Sequence, residues 1–217
     1  MTVRPFGAMR SVLAVAASLL LAGGAMSSAY AQGGHGSHGT PGTSAHAATP
    51  EQEAAAAKLV ADVRAAIARW AKVSAAETDG FRQNNPFRFG SWGPAHYGNV
   101  TFSRDGVTLD PLRPEGLVYM KLQSGEVVLL GALFKAPKGE GPRPGGPLTE
   151  WHSHECATGM GNALRSVDGQ CPAGTTMVPR AVEMLHVWTF GNPDGPFAHG
   201  LTNRGIEAAV RRFSAKR

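Results

Sequence analysis

The chain has 217 residues, among them 28 Gly and 15 Pro, and a formal charge of +5. Charged residues make up 17% and apolar residues 42%, which fits a loop-rich globular body and excludes wholesale disorder. The glycines keep no three-residue period, which excludes collagen, and the length suits one domain with a tail better than two cores.

Residues 1–31 read as a secretory signal peptide. Arg4 and Arg10 form a positive start, Val12 to Ala22 is apolar but too short to span a bilayer, and Ala29-Tyr30-Ala31 is a cleavage site. The mature chain then begins at Gln32, in a secreted or periplasmic setting, with a charge of +3. Its basic residues are scattered, so neither nucleic acid nor an anionic membrane is expected as a partner. No later stretch is long and apolar enough for a membrane span. Residues 32–48 form a flexible Gly/His-rich tail, whose His35, His38 and His46 offer only weak metal affinity.

A single α+β domain is expected over 49–217. Thr49 is placed to cap a helix, Pro50 suits the first helical position, and Gln52 completes a capping box. Leu59, Val63, Ile67, Trp70 and Val73 recur at three- and four-residue spacing, which predicts one amphipathic helix over about 50–76. Beyond Asp79-Gly80, aromatic residues without period predict an irregular segment through Tyr97. Strands are expected at 100–103, 117–123 and 126–135, the last two joined by a tight turn at Ser124-Gly125. Four Pro and four Gly make 136–148 a long loop. A strand at 149–155, a Cys156–Cys171 loop, a buried strand at 183–190 and a short helix around Ile206, Val210 and Phe213 complete the chain. The expected architecture is an antiparallel sheet with a helix at each end.

Two cysteines fifteen residues apart in an exported chain favour a disulfide over free thiols, contributing about 3 kcal/mol in the chain-entropy model. Thiolate ligation of a metal lacks C-x-x-C spacing.

Chemistry concentrates in the histidines. In Trp151-His152-Ser153-His154-Glu155, residues two apart on a strand share a face, so His152 and His154 present two imidazoles side by side. Neutral imidazoles converging on one point grip divalent metals. His186, in the other buried strand, is a third ligand, and His96 a fourth ligand or a substrate contact. His199 is set outside this group. Zn²⁺ or Cu²⁺ is the expected cofactor. Glu155, and after it Glu183, are carboxylate candidates for a base, Glu155 only where the backbone bends; Tyr97 is a candidate acid or hydrogen-bond donor.

The zinc-protease motif fails at Thr158, and the metallo-β-lactamase pattern fails at Cys156 and Ala157. No nucleophile elbow, P-loop or dinucleotide fingerprint is present. Gly146 and the His152/His154 pair resemble the first cupin motif, G-x5-H-x-H, which implies a cupin-like sheet. Glu155 departs from that pattern in position, and Met177 stands where its second motif has His. His96-Tyr97 with Asn99, Leu130-Gly131, Trp151-His152-Ser153-His154-Glu155 and His186-x-Trp188 together resemble the oil-body-associated protein family. They also resemble a group of secreted bacterial proteins with the same His-Tyr, Trp-His-x-His and Leu-His-x-Trp blocks. That resemblance spans about residues 94–200 and implies site positions but no reaction.

Two functions compete on this reading. One is a secreted His-ligated metal-binding protein, extending to a metalloenzyme with an open coordination position. The other is a non-catalytic extracytoplasmic binding module, with Trp92, Tyr97, Trp151 and Trp188 lining a pocket for a small molecule.

Overall fold

The computed structural model describes residues 47–157, 163–166, 170–178 and 181–215. The expected signal peptide and the tail histidines His35, His38 and His46 lie outside the described residues.

The chain enters helix α1, Pro50–Ile67, through the capping box expected of it. Thr49 Oγ1 accepts the Gln52 N–H at 3.3 Å, and Gln52 Oε1 accepts the Thr49 N–H at 2.9 Å. Ala56, Leu59, Val63 and Ile67 form its buried stripe. The single helix expected to residue 76 is broken. Residues 68–70 tighten into a 3₁₀ turn, Lys72 is extended, and a second helix, α2, runs over Val73–Thr78. The steps from Ile67 to Trp70 to Val73 are all three residues, which suits a 3₁₀ turn and not a 3.6-residue helix. Trp70 is turned inward, where its indole N–H donates to Asp79 Oδ2 at 2.7 Å and its carbonyl accepts from the Tyr119 hydroxyl at 2.6 Å.

The segment expected to be irregular after Gly80 holds two strands, β1 (Phe81–Gln83) and β2 (Gly93–Asn99). Gly93, Pro94 and Gly98 obscure the alternation of β2 in the sequence. Pro94 is tolerated because it lies beyond the reach of β1, where β2 pairs only with β3 (Gly116–Lys121). The strand expected at 100–103 is absent. The Asn99 side chain accepts the N–H groups of Thr101 and Phe102, which turns the chain into a 3₁₀ segment at Phe102–Arg104. Strand β4, Val127–Ala136, returns beside β3 through the expected turn, with Gly125 at φ 89°.

The strand expected at 149–155 shrinks to β5, His152–Ser153. The next residues leave for a separate small sheet, ordered β7 (Ala163–Leu164), β6 (Cys156–Ala157) and β8 (Thr176–Met177). Cys156 and Cys171 form the expected disulfide. Strand β9, Glu183–Trp188, then enters the main sheet, and helix α3, Asn203–Ser214, closes the chain behind a Thr202 cap.

The main sheet has the order β1-β2-β3-β4-β9-β5, with every pairing antiparallel. The fold is α+β, with a helix on each face. On one face Ala95, Tyr97, Leu117, Tyr119, Phe134, Leu185 and Val187 meet the stripe of α1 and Trp70. On the other, Val118, Met120, Leu130 and Trp188 meet Ile206 and Ala209 of α3. No helix among the described residues is long and apolar enough to cross a membrane.

Candidate functional site

Strand alternation decides which histidines meet. In β2 the residues alternate between faces, so with Tyr97 packed toward α1, His96 points to the α3 side. In β9, Leu185 and Val187 face α1, leaving His186 and Trp188 on the α3 side. His152 pairs in register with Met184, so His152 and His186 are diagonal neighbours on adjacent strands.

His96 and His186 are separated by β3 and β4. Four strands at about 4.8 Å spacing would hold their backbones about 14 Å apart in a flat sheet. Their Nε2 atoms nevertheless approach to 3.3 Å. The positions between them are Val118 and Gly116 on β3, and Gly131 and Leu133 on β4, so two of the four carry no side chain. Gly131 also admits β9 itself: a Cβ there would stand 2.3 Å from the Val187 carbonyl oxygen.

The remaining rings extend the group. His152 lies 5.4 Å from His186 with the rings stacked, 5.3 Å from His154 and 4.4 Å from His199, measured between centroids. Trp188 stacks on His186 from the other side at 5.0 Å, with its indole N–H donating to the Ala198 carbonyl. All four histidines expected at the site are therefore in one ring cluster. His154 reaches it from beyond the end of β5, not as a partner on one strand face.

His199, set aside in the sequence, makes the closest ring contact of the group. No periodicity marks it, because it sits in the loop after β9 and is carried there by the Trp188 indole hydrogen bond to its neighbour Ala198. Its Nδ1 faces Arg165 Nη1 at 3.3 Å, and its Nε2 stands 3.9 Å from Glu150. Arg165 has only donors, so His199 Nδ1 is its acceptor. A groove of about 530 Å³ opens beside His199, lined by Ala56, Val60, Leu148, Glu150 and Phe197 among others.

His152 and His186 are 3% and 4% exposed. Both ring nitrogens of His152, and Nδ1 of His186, are buried without a hydrogen-bond partner. An unsatisfied buried polar group costs about 1–3 kcal/mol, so three in one spot are a concentrated penalty. Burial holds all three inner rings neutral. It pushes His152 down to about 3, with His199, His154 and Arg165 adding repulsion. Burial likewise lowers His186 far below the ordinary histidine value and lowers His96, with His154 and Lys135 assisting in the latter. Neutral imidazoles with free lone pairs are the metal-competent form.

The rings do not form a finished ligand set. Among the described residues no three His, Cys, Asp or Glu side chains converge on one ion. Stacked rings keep their lone pairs in separate, near-parallel planes, so His152 must turn about its side-chain bonds to share an ion with His186.

The carboxylate and phenol candidates are engaged with other partners. Glu155 is held by Lys138, Ser153 and Ser166. The Lys138 and Ser166 hydrogen bonds lower it to about 2, which leaves it a weak base. Glu183 faces the α1 side, accepting the Gly141 N–H at 2.7 Å. Tyr97 lies in the α1-side core, its hydroxyl donating to Gln83. Nor do the four aromatics share one pocket: Tyr97 and Trp151 belong to the α1-side core, Trp92 and Trp188 to the α3 side. Comparisons of the chain with protein-family models, curated proteins and solved structures each returned no match, so these distances and registers are what a functional reading rests on.

Proposed function

We propose that this is an exported metal-binding protein that holds one divalent ion, Zn²⁺ or Cu²⁺, through His96, His186 and His152, with His154 beside them. The observation that carries the reading is the approach of His96 Nε2 and His186 Nε2 to 3.3 Å beside His152, whose two ring nitrogens are buried and unpartnered. Two imidazole nitrogens bound to a tetrahedral zinc at about 2.0–2.1 Å stand about 3.3–3.4 Å apart. The His96–His186 separation of 3.3 Å matches that edge. The same distance serves as an N–H···N hydrogen bond in the metal-free protein, so these two nitrogens need not separate for an ion to enter. His152 supplies the third ligand after a side-chain rotation, and a fourth tetrahedral position is left for water or a ligand. His199 stays outside the set because Arg165 occupies its Nδ1.

Elemental analysis and Cu²⁺ titration test this. Near one equivalent should bind, and Trp188, stacked 5.0 Å from His186, should lose its fluorescence as it does so. His186→Asn and His152→Asn should abolish stoichiometric uptake while His199→Ala retains it. Equal uptake by all three variants, or none by the parent protein, refutes the assignment.

A further inference from the structure

The surroundings of the histidine cluster are unusual in sign. Among the described residues, no carboxylate lies within ion-pair distance of a ring nitrogen of His96, His152, His154 or His186; the one such contact belongs to His199. Two cations flank the cluster instead. Lys135 stands on one cross-strand row with Met184 and His152, on the histidine face of the sheet, one step along from Leu133 and His186. Arg165 stands against His199, which is stacked on His152.

Neither cation meets a carboxylate among the described residues. Among the described residues Lys138 pairs with Glu155, Arg113 with Asp105, and Arg204 with Asp194, but Lys135 and Arg165 have no carboxylate partner. The acid nearest in influence to Lys135 is Glu115, whose carboxyl is buried and pushed up to about 7. It supplies at most a partial charge at neutral pH.

Filling such a site with a divalent ion adds two positive charges to a place whose protein ligands are all neutral. The result is a concentrated cation that no described carboxylate compensates, and in a low-dielectric pocket that field is strong. Resting on the metal reading above, we propose that the open coordination position takes a small anion, a carboxylate or inorganic oxyanion, which displaces water from the metal and is drawn in by Lys135 and Arg165. The size limit comes from burial: with the His152 and His186 rings under 5% exposed, only a small head group reaches the ion.

The test uses the full chain loaded with Co²⁺, whose visible absorption reports its ligands, and titrates it with acetate and separately with phosphate. The chain should bind near one Co²⁺, and one or both anions should change the spectrum saturably. Response to acetate alone identifies a carboxylate site, and response to phosphate identifies an oxyanion site. Lys135→Met and Arg165→Met should each retain Co²⁺ and weaken the anion about tenfold, the effect of one lost charge-assisted contact. If Co²⁺ binds but neither anion alters the spectrum, or both variants bind anion like the parent, the anion proposal is overturned and the metal site stands. If Co²⁺ does not bind, both readings fall.

Discussion

Acidification should destabilise the metal-free protein, and one buried acid should conceal part of the loss. The perturbation is a shift from pH 7.5 to 5.0 in the presence of a chelator. His152 has its folded value pushed down to about 3 from 6.5. Below pH 6.5 the unfolded chain therefore takes up a proton that the folded chain refuses, and stability falls. The integral to pH 5.0 is about 2 kcal/mol for this one ring. His186 and His96 are shifted in the same direction and add to it. Glu115 works the other way. Its folded value is raised to about 7 from 4.5, so between those values the folded chain holds the extra proton and gains about 2 kcal/mol on acidification. Urea denaturation of the parent should consequently show a fall about 2 kcal/mol smaller than the histidines alone would give. In Glu115→Gln, which mimics the protonated acid, the fall from pH 7.5 to 5.0 should steepen by about 2 kcal/mol. A Glu115→Gln profile no steeper than the parent's would refute this account.

Gly131→Ala should cost about 3 kcal/mol or more, because its Cβ would strike the Val187 carbonyl oxygen, a backbone atom that can move only by breaking the β4–β9 ladder. Thermal melting checks this, and a loss near the Gly125→Ala value would show that the strands can part cheaply. Reducing the Cys156–Cys171 bond should lower stability by about 3 kcal/mol. Thiol titration of the denatured, unreduced protein should find no free sulfhydryl, and two reactive thiols would contradict the pairing.

The parts legible in the sequence are those governed by local rules. Thr49, Pro50 and Gln52 announce the start of α1 through hydrogen bonds spanning three residues, and β3 and β4 carry long apolar runs around a Ser-Gly turn. The break at Lys72 was obscured because helical and 3₁₀ stripes coincide over a few residues. Strand β2 was hidden because its Gly and Pro positions are tolerated by their neighbours in the sheet, which the sequence of β2 does not contain. At the site, His152, His154, His186 and His96 are conspicuous by type and spacing. His199, Lys135 and Arg165 are not, since they owe their places to β9 register, the Trp188 indole bond and the disulfide-closed segment. The carboxylate roles assigned to Glu155 and Glu183 depend on tertiary partners: Glu183 faces the α1 side, and Glu155 is held by Lys138, Ser153 and Ser166.

The strand order also implies a sequence of assembly. Strands β1 to β4 are chain neighbours, so that meander closes only short loops, whereas β9 inserts next to β4 after an excursion of nearly fifty residues. β5, although earlier in the chain, pairs with β9 alone and has no place in the sheet until β9 arrives. His96 is thus in position first, His186 joins with β9, and His152 follows. An ion needing all three can recognise only the finished molecule, so it should slow unfolding and leave the refolding rate unchanged. Stopped-flow kinetics with and without Zn²⁺ would separate the two limbs, and faster refolding with metal would mean that the histidines gather early. On this topology a bound ion would act as a lock applied after folding and would take no part in guiding it.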